Sequence, residues 1–167
     1  LQAALLDKQE VQLNLKRSAA HDLITVALNN INLQVAEKGG TLEVALDAEN
    51  DIINADEVHF TNLINNLLDN AVKYSKENLH IKLSTYNSSN HFNIKIEDNG
   101  IGMNKETLNR IFEKFYRAHT GNVHNVKGFG LGLSYVKTMV AAHNGNIKAE
   151  SILGKGSIFH ISVPLAK

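Results

Sequence analysis

The 167-residue chain contains no cysteine. That absence excludes a disulfide-stapled scaffold, a zinc ribbon and a thiol nucleophile, and it fits a reducing compartment. No apolar run approaches the ~20 residues of a membrane span, and no signal-peptide pattern opens the sequence. Repeats and low-complexity segments are absent, and no pair of histidines has zinc-ligand spacing. There is no net charge either: 17 Lys and Arg face 17 Asp and Glu. A nucleic-acid binder that relies on bulk positive charge is therefore excluded. What is present is 43% apolar residues, enough for one domain with its own core. The first residue is Leu1 rather than Met, so a piece of a longer protein is expected. The charge is also uneven. Residues 1–100 carry 8 basic and 14 acidic residues, and residues 101–167 carry 9 basic and 3 acidic. This asymmetry is either chance or a supply of cations for an anionic ligand.

Hydrophobic periodicity divides the chain into helices and strands. Leu1, Leu5 and Leu6 suggest a short leading helix, and Val11, Leu13 and Leu15 alternate like a strand. A helix is predicted over 21–37, with Gly39 just beyond it as a stop signal. Leu42, Val44 and Leu46 read as a strand, and Asp56 as the cap of a long helix reaching about Tyr74. Strands at 79–85 and 92–96 flank the turn residues Asn87–Asn90, which predicts a hairpin. A short helix over 105–115, a polar loop over 118–127, a helix over 131–143 and two closing strands complete the pattern. The expected class is α+β, with three main helices against a mostly antiparallel sheet.

Four clusters carry the chemistry. The first lies on the long helix, where Leu63, Ile64, Leu67, Leu68 and Ala71 form a core stripe. Asn66 and Asn70 stand one turn apart at its edge, continued by Lys73 and Tyr74. Asparagine is a mediocre helix former. For Asn62, Asn65 and Asp69 a solvated face explains the polarity, whereas Asn66 and Asn70 suit a ligand role, their neutral amide oxygens being appropriate for magnesium. The second cluster is Glu97-Asp98-Asn99-Gly100-Ile101-Gly102. Asp98 shares the inward parity of Phe92, Ile94 and Ile96, so its carboxylate needs a donor, such as the exocyclic amine of adenine. Gly100 and Gly102 would let the backbone approach a flat ring; an ordinary Asn-Gly turn is the competing explanation.

The third cluster is 111–117, where Phe112 and Phe115 pack and Arg117 can reach a phosphate. The fourth, Gly128-Phe129-Gly130-Leu131-Gly132, opens a helix and presents backbone N–H groups and a favourable dipole to an anion. It is neither a Walker A loop nor a G-x-G-x-x-G fingerprint, and the motifs of eukaryotic-type protein kinases are absent.

In this order, the clusters resemble the N, G1, F and G2 boxes of the catalytic, ATP-binding domain of bacterial sensor histidine kinases. That family shares a superfamily with DNA gyrase, Hsp90 and MutL. The resemblance runs from about Arg17 to Leu165, and His143-Asn144-Gly145 and Gly154-Lys155-Gly156-Ser157 resemble the closing strands. It implies a two-layer α/β sandwich of the Bergerat type, with a mixed five-stranded sheet on three helices. It implies Asn70 as the magnesium ligand, with Asn66 beside it as a further candidate, and Asn66 and Arg117 as the catalytic residues. It further implies Lys73 at phosphate, Tyr74 beside adenine, Asp98 reading adenine, and Gly100 and Gly102 against the ring. Arg117 would lie near the terminal phosphate, and Gly128, Gly130, Leu131 and Gly132 would form the phosphate loop. Phe129 departs from the Thr or Ser common there.

Hydrolytic relatives place a Glu four residues before the magnesium Asn, as a base for water; here Asn66 holds that position. The resemblance therefore implies a kinase that keeps ATP intact for transfer, rather than an ATPase or a non-catalytic docking module. The transfer would go to a histidine on a dimerisation domain, and from there to a response regulator. Residues 1–10 resemble the end of the second dimerisation helix, and 11–167 the catalytic domain. His21-Asp22 has the dipeptide of a phosphoacceptor but lies in the catalytic domain's own first helix, so His21 reads as structural. A cytoplasmic location is implied, without nucleic acid or membrane contact by this chain.

Overall fold

The computed structural model describes residues 12–114 and 131–167. In chain order the elements are β1 (Lys16–Ala19), α1 (Ala20–Glu37), β2 (Thr41–Leu46), β3 (Ile52–Ala55) and α2 (Glu57–Lys73). They continue with β4 (His80–Ser88), β5 (His91–Asp98), α3 (Lys105–Arg110), α4 (Leu131–Ala142), β6 (Asn146–Ile152) and β7 (Gly156–Pro164). The main sheet has the order β2-β4-β5-β7-β6. β2 runs parallel to β4, and the remaining pairs are antiparallel. This is the mixed five-stranded sheet of the expected α+β class, with α2 packed between α1 and α4.

The register explains why one face of the sheet is apolar. Ile94 stands between Thr85 and Ile161, Ile96 between Leu83 and Phe159, and Phe92 opposite Val163. These residues are buried and join one core with Leu63, Ile64, Leu67 and Leu68 of α2 and Val136, Met139 and Val140 of α4. The other face carries Lys82, Lys95, Glu97, Glu150 and His160, several of them ion-paired. Asp98 sits opposite Ile81 and Ser157, at the end of the inward-facing row.

Helix ends follow local chemistry. Asp56 caps α2, its Oδ1 accepting the His59 N–H at 3.1 Å. Ala19 precedes α1 without a side-chain cap. Distant Asp51 serves instead, its carbonyl taking the Ala20 N–H at 2.8 Å and its carboxylate the His21 N–H at 2.9 Å. Gly39 ends the turn after α1 with φ +66°.

Three expectations need correction. The alternation of Leu13 and Leu15 is not a strand: β1 starts at Lys16, and Val11 lies outside the described residues. Leu13 packs on the core while the Asn14 N–H donates to the Asp56 carboxylate at 3.0 Å, so the peptide is held without a strand partner. β3 was not anticipated. It is four residues long and pairs with β1, forming a separate two-stranded sheet. The helix predicted over 105–115 stops at Arg110. There the Glu113 N–H turns back to the Arg110 carbonyl at 2.9 Å, a tighter i→i+3 bond. Phe112 meets Phe159 edge-on at 6.4 Å, and Phe115 lies outside the described residues. So do the leading helix at 1–10 and the polar loop over 118–127.

Candidate functional site

The site is built around the C-terminal half of α2. The stripe of Phe60, Leu63, Ile64, Leu67, Leu68, Ala71 and Val72 is buried, which fixes the rotation of the helix. Asn66 and Asn70 are then half-buried at the stripe's edge, while Asn62 is exposed. The Asn66 amide donates through Nδ2 to the Asn62 carbonyl at 2.9 Å, which turns its Oδ1 away. No bond from a described residue engages the Asn70 side chain. Lys73 pairs with Asp69 at 2.9 Å, an i,i+4 ion pair open to solvent. Such a pair stabilises by only about 0.3–0.5 kcal/mol, so the ammonium can be transferred to a stronger anion.

The second wall is the turn after β5. Asp98 Oδ1 accepts the Gly100 N–H at 2.8 Å and the Ser157 N–H at 3.3 Å. Among the described residues Oδ2 has no partner. Burial pushes the carboxyl above its ordinary value of 3.8, against the lowering effect of the two backbone donors. The turn is locked to the end of α2, because the Ile101 N–H donates to the Tyr74 carbonyl at 3.0 Å. Asn99 pins the turn to β4, accepting from the His80 N–H and donating to the Asn78 carbonyl, both at 2.8 Å.

The glycines also meet a need that the local motif does not show. A Cβ on Gly100 would lie 2.5 Å from the Tyr74 carbonyl oxygen, and one on Gly102 2.0 Å from that of Ile152. Gly102 also has φ +67°. Both are glycine first because protein backbone crosses there, before any ligand is considered.

The third wall is the first turn of α4. Leu131 opens that helix, and a Cβ on Gly132 would lie 3.3 Å from Asn66 Oδ1. The structure thus brings Asn66, Asn70, Tyr74, Asp98, Gly100 and Gly132 around the end of α2. Arg117, Gly128 and Gly130 lie outside the described residues, as do Tyr116, Phe129 and Lys127.

His21 is held structurally. Its Nε2 bonds Thr85 Oγ1 at 2.9 Å, and its ring meets Phe92 edge-on at 5.5 Å. Sequence reasoning missed Ser157 as an Asp98 partner, and it missed the polar seam between α2 and α4. There Tyr135 meets His59 at 2.7 Å, and buried His143 accepts the Asp56 N–H at 3.1 Å. These partners are 59 or more residues apart, so no local pattern marks them.

Comparison with known proteins is consistent with this geometry. The model of histidine kinase-, DNA gyrase B-, and HSP90-like ATPases matches residues 55–167. Sensor protein RprX of Bacteroides fragilis (strain YCH46) is 48% identical, over 100% of this chain and 33% of that protein. Sensor histidine kinase WalK of Bacillus subtilis (strain 168) is 35% identical, over 67% of this chain and 19% of its own length. The chain therefore spans a third or less of these curated relatives. Full-length ShkA in complex with AMPPNP aligns with a TM-score of 0.83 at 26% identity, over 98% of this chain and 34% of that one. The nucleotide-free catalytic domain of histidine kinase ThkA shares the fold, with a TM-score of 0.78 at 22% identity, over 91% of this chain and 96% of that one. The matched stretch begins just before the Asp56 cap and takes in α2, the Asp98 turn and α4, and by that match the chain belongs to the histidine kinase-, DNA gyrase B- and HSP90-like ATPase family.

Proposed function

We propose that this chain is the ATP-binding kinase module of a two-component sensor. ATP lies between the C-terminal half of α2, the Asp98 turn and the first turn of α4. The observation that carries this reading is Asp98. One carboxylate oxygen is fixed by two backbone N–H groups, and the other is left to accept from an amine at the mouth of the site. The exocyclic amine of adenine is such a donor, and Tyr74 and Gly102 border the base. Lys73 and Arg117 contribute positive charge to the phosphates, and the N–H groups of Gly128, Gly130, Leu131 and Gly132 contribute dipoles.

The donor set fits magnesium. The amide oxygens of Asn70 and Asn66 are neutral and hard, and Mg²⁺ is commonly held by few protein ligands plus substrate phosphates. Among the described residues no cluster of three His, Cys, Asp or Glu exists that could hold a metal by itself. When bound, Mg²⁺ would neutralise charge on the transferring phosphate. Asn66 supplies no base to activate water, which supports transfer over hydrolysis. In the transfer the bond from the γ-phosphorus to the bridging oxygen breaks, a bond to an imidazole nitrogen forms, and ADP leaves. The acceptor histidine belongs to a dimerisation domain, of which residues 1–10 form the last part, and a response regulator receives the phosphoryl group afterwards. No helix among the described residues is long and apolar enough to cross a membrane; the proposed location of the module is cytoplasmic.

The test mixes this chain, labelled ATP and a separately made dimerisation module. The expected result is label on that module's histidine, with little phosphate released by the chain alone. Steady phosphate release without transfer would favour an ATPase, and no labelling where the intact parent labels itself would overturn the reading.

A further inference from the structure

α2 and α4 run antiparallel, and the contacts between them fall into two chemical kinds. Val136, Met139 and Val140 of α4 are buried in the common core. Apolar packing of this kind is strong but non-directional, so it does not by itself fix how far one helix slides along the other. Hydrogen bonds are directional and do fix it. At the far end of α4, His143 Nε2 accepts the Asp56 N–H at 3.1 Å. Near the start, one turn from Gly132, stands the Tyr135 hydroxyl. It lies 2.7 Å from His59 Nδ1.

These contacts close a ring. Tyr135 holds His59, one turn before Asn62 on α2; the Asn62 carbonyl holds the Asn66 amide at 2.9 Å; Asn66 Oδ1 faces Gly132; and Gly132 precedes Tyr135 by three residues on α4. Tyr135 is 8% exposed, so an unbonded hydroxyl there would be costly to bury. We propose that Tyr135 is a positioning residue for the phosphate end of the site. Its bond to His59 holds the first turn of α4 in register with α2, keeping the Gly132 backbone beside a correctly turned Asn66. The adenine end, built on Asp98 and the Tyr74 carbonyl, does not depend on this ring. The inference rests on the ATP reading given above.

The two ends can be separated with ligands. Tyr135→Phe keeps the ring and removes only the hydroxyl. With Mg²⁺ present, its affinity for AMPPNP should fall about fivefold to tenfold, the loss expected for one hydrogen-bonded constraint. Affinity for adenosine, read by competition, should stay within about twofold, since it uses only the Asp98 end. His59→Leu should reproduce the effect, and adding it to Tyr135→Phe should cause little further loss. A wild-type chain that binds AMPPNP, with a Tyr135→Phe variant that binds it equally well, would overturn the proposal. So would equal proportional losses for AMPPNP and adenosine, the pattern of general destabilisation. A wild-type chain that binds neither ligand would instead overturn the ATP reading, and this proposal with it.

Discussion

The two ends of α2 use the same kinds of residue for opposite purposes. At the N-terminal end every polar group singled out is committed to the protein. Asp56 Oδ1 caps the helix, Oδ2 takes the Asn14 N–H, and the Asp56 N–H goes to His143. Burial alone would raise the Asp56 carboxyl, but the Asn14 and His59 donors and the neighbouring histidines bring it below its ordinary 3.8. At the C-terminal end Lys73 is held by a weak exposed pair, and among the described residues neither the Asn70 side chain nor one Asp98 oxygen has a partner. A polar group that satisfies its neighbours contributes stability, whereas one left partly unsatisfied is available to a ligand. Apart from His59, which acts on the phosphate end through Tyr135, substitutions at the first end should change stability and leave affinity alone. Substitutions at the second should do the reverse.

The sharpest exception should be Gly102, where the two roles coincide. Gly102→Ala puts a Cβ 2.0 Å from the Ile152 carbonyl oxygen at a φ of +67°. The expected cost is about 3 kcal/mol or more, read as a large drop in the unfolding midpoint, with binding lost in consequence. A stable Gly102→Ala protein would mean that the turn is not built as described.

His143→Leu tests the committed end. It leaves the Asp56 N–H without its acceptor, at a cost of about 1–3 kcal/mol, with nucleotide affinity retained in the folded fraction. A pH dependence follows with a definite sign. Burial holds the His143 imidazole below its ordinary 6.5, against the raising effects of the Met139 carbonyl and Asp56. The neutral form therefore contributes stability that is complete above pH 6.5 and is lost as pH falls through the lower folded value. Denaturation midpoints measured across that window should fall with acidity in the native chain and flatten in His143→Leu.

Smaller still in stability is Asn70→Ala. Alanine is the better helix former, so stability should hold or rise by a few tenths of a kcal/mol. Magnesium-dependent AMPPNP affinity should fall about tenfold, with the magnesium-free value nearly unchanged. A large loss of stability would break the contrast between the two ends.

The legibility of these features follows the range of the interactions that make them. α1, α2 and the β4–β5 hairpin were readable because burial repeats every 3.6 or two residues within one segment. The Asp56 cap was readable because its partner is three residues away. β1 and β3 were not, since each is four residues long and pairs only with segments distant in sequence, β1 with β3 about 36 residues away and β3 also with Leu165 and Ala166. The parity of β5 correctly turned Asp98 inward, but nothing near it in sequence signals Ser157. Gly100 and Gly102 were legible as site residues, but their other reason for being glycine was not, because a crossing strand and a crossing helix end are invisible in a local motif.

The most direct measurement is a calorimetric titration of the chain and of Asp98→Asn with AMPPNP and Mg²⁺. Asparagine keeps an oxygen for the Gly100 and Ser157 donors and replaces the other carboxylate oxygen, an acceptor, with an amide NH2, a donor. Because burial raises the Asp98 carboxyl, the folded state disfavours its charge at neutral pH, so the variant should unfold at the same temperature or higher. The account predicts tight binding by the native chain and about a 100-fold loss or more in this equally stable variant. Equal affinity in the two proteins would contradict it.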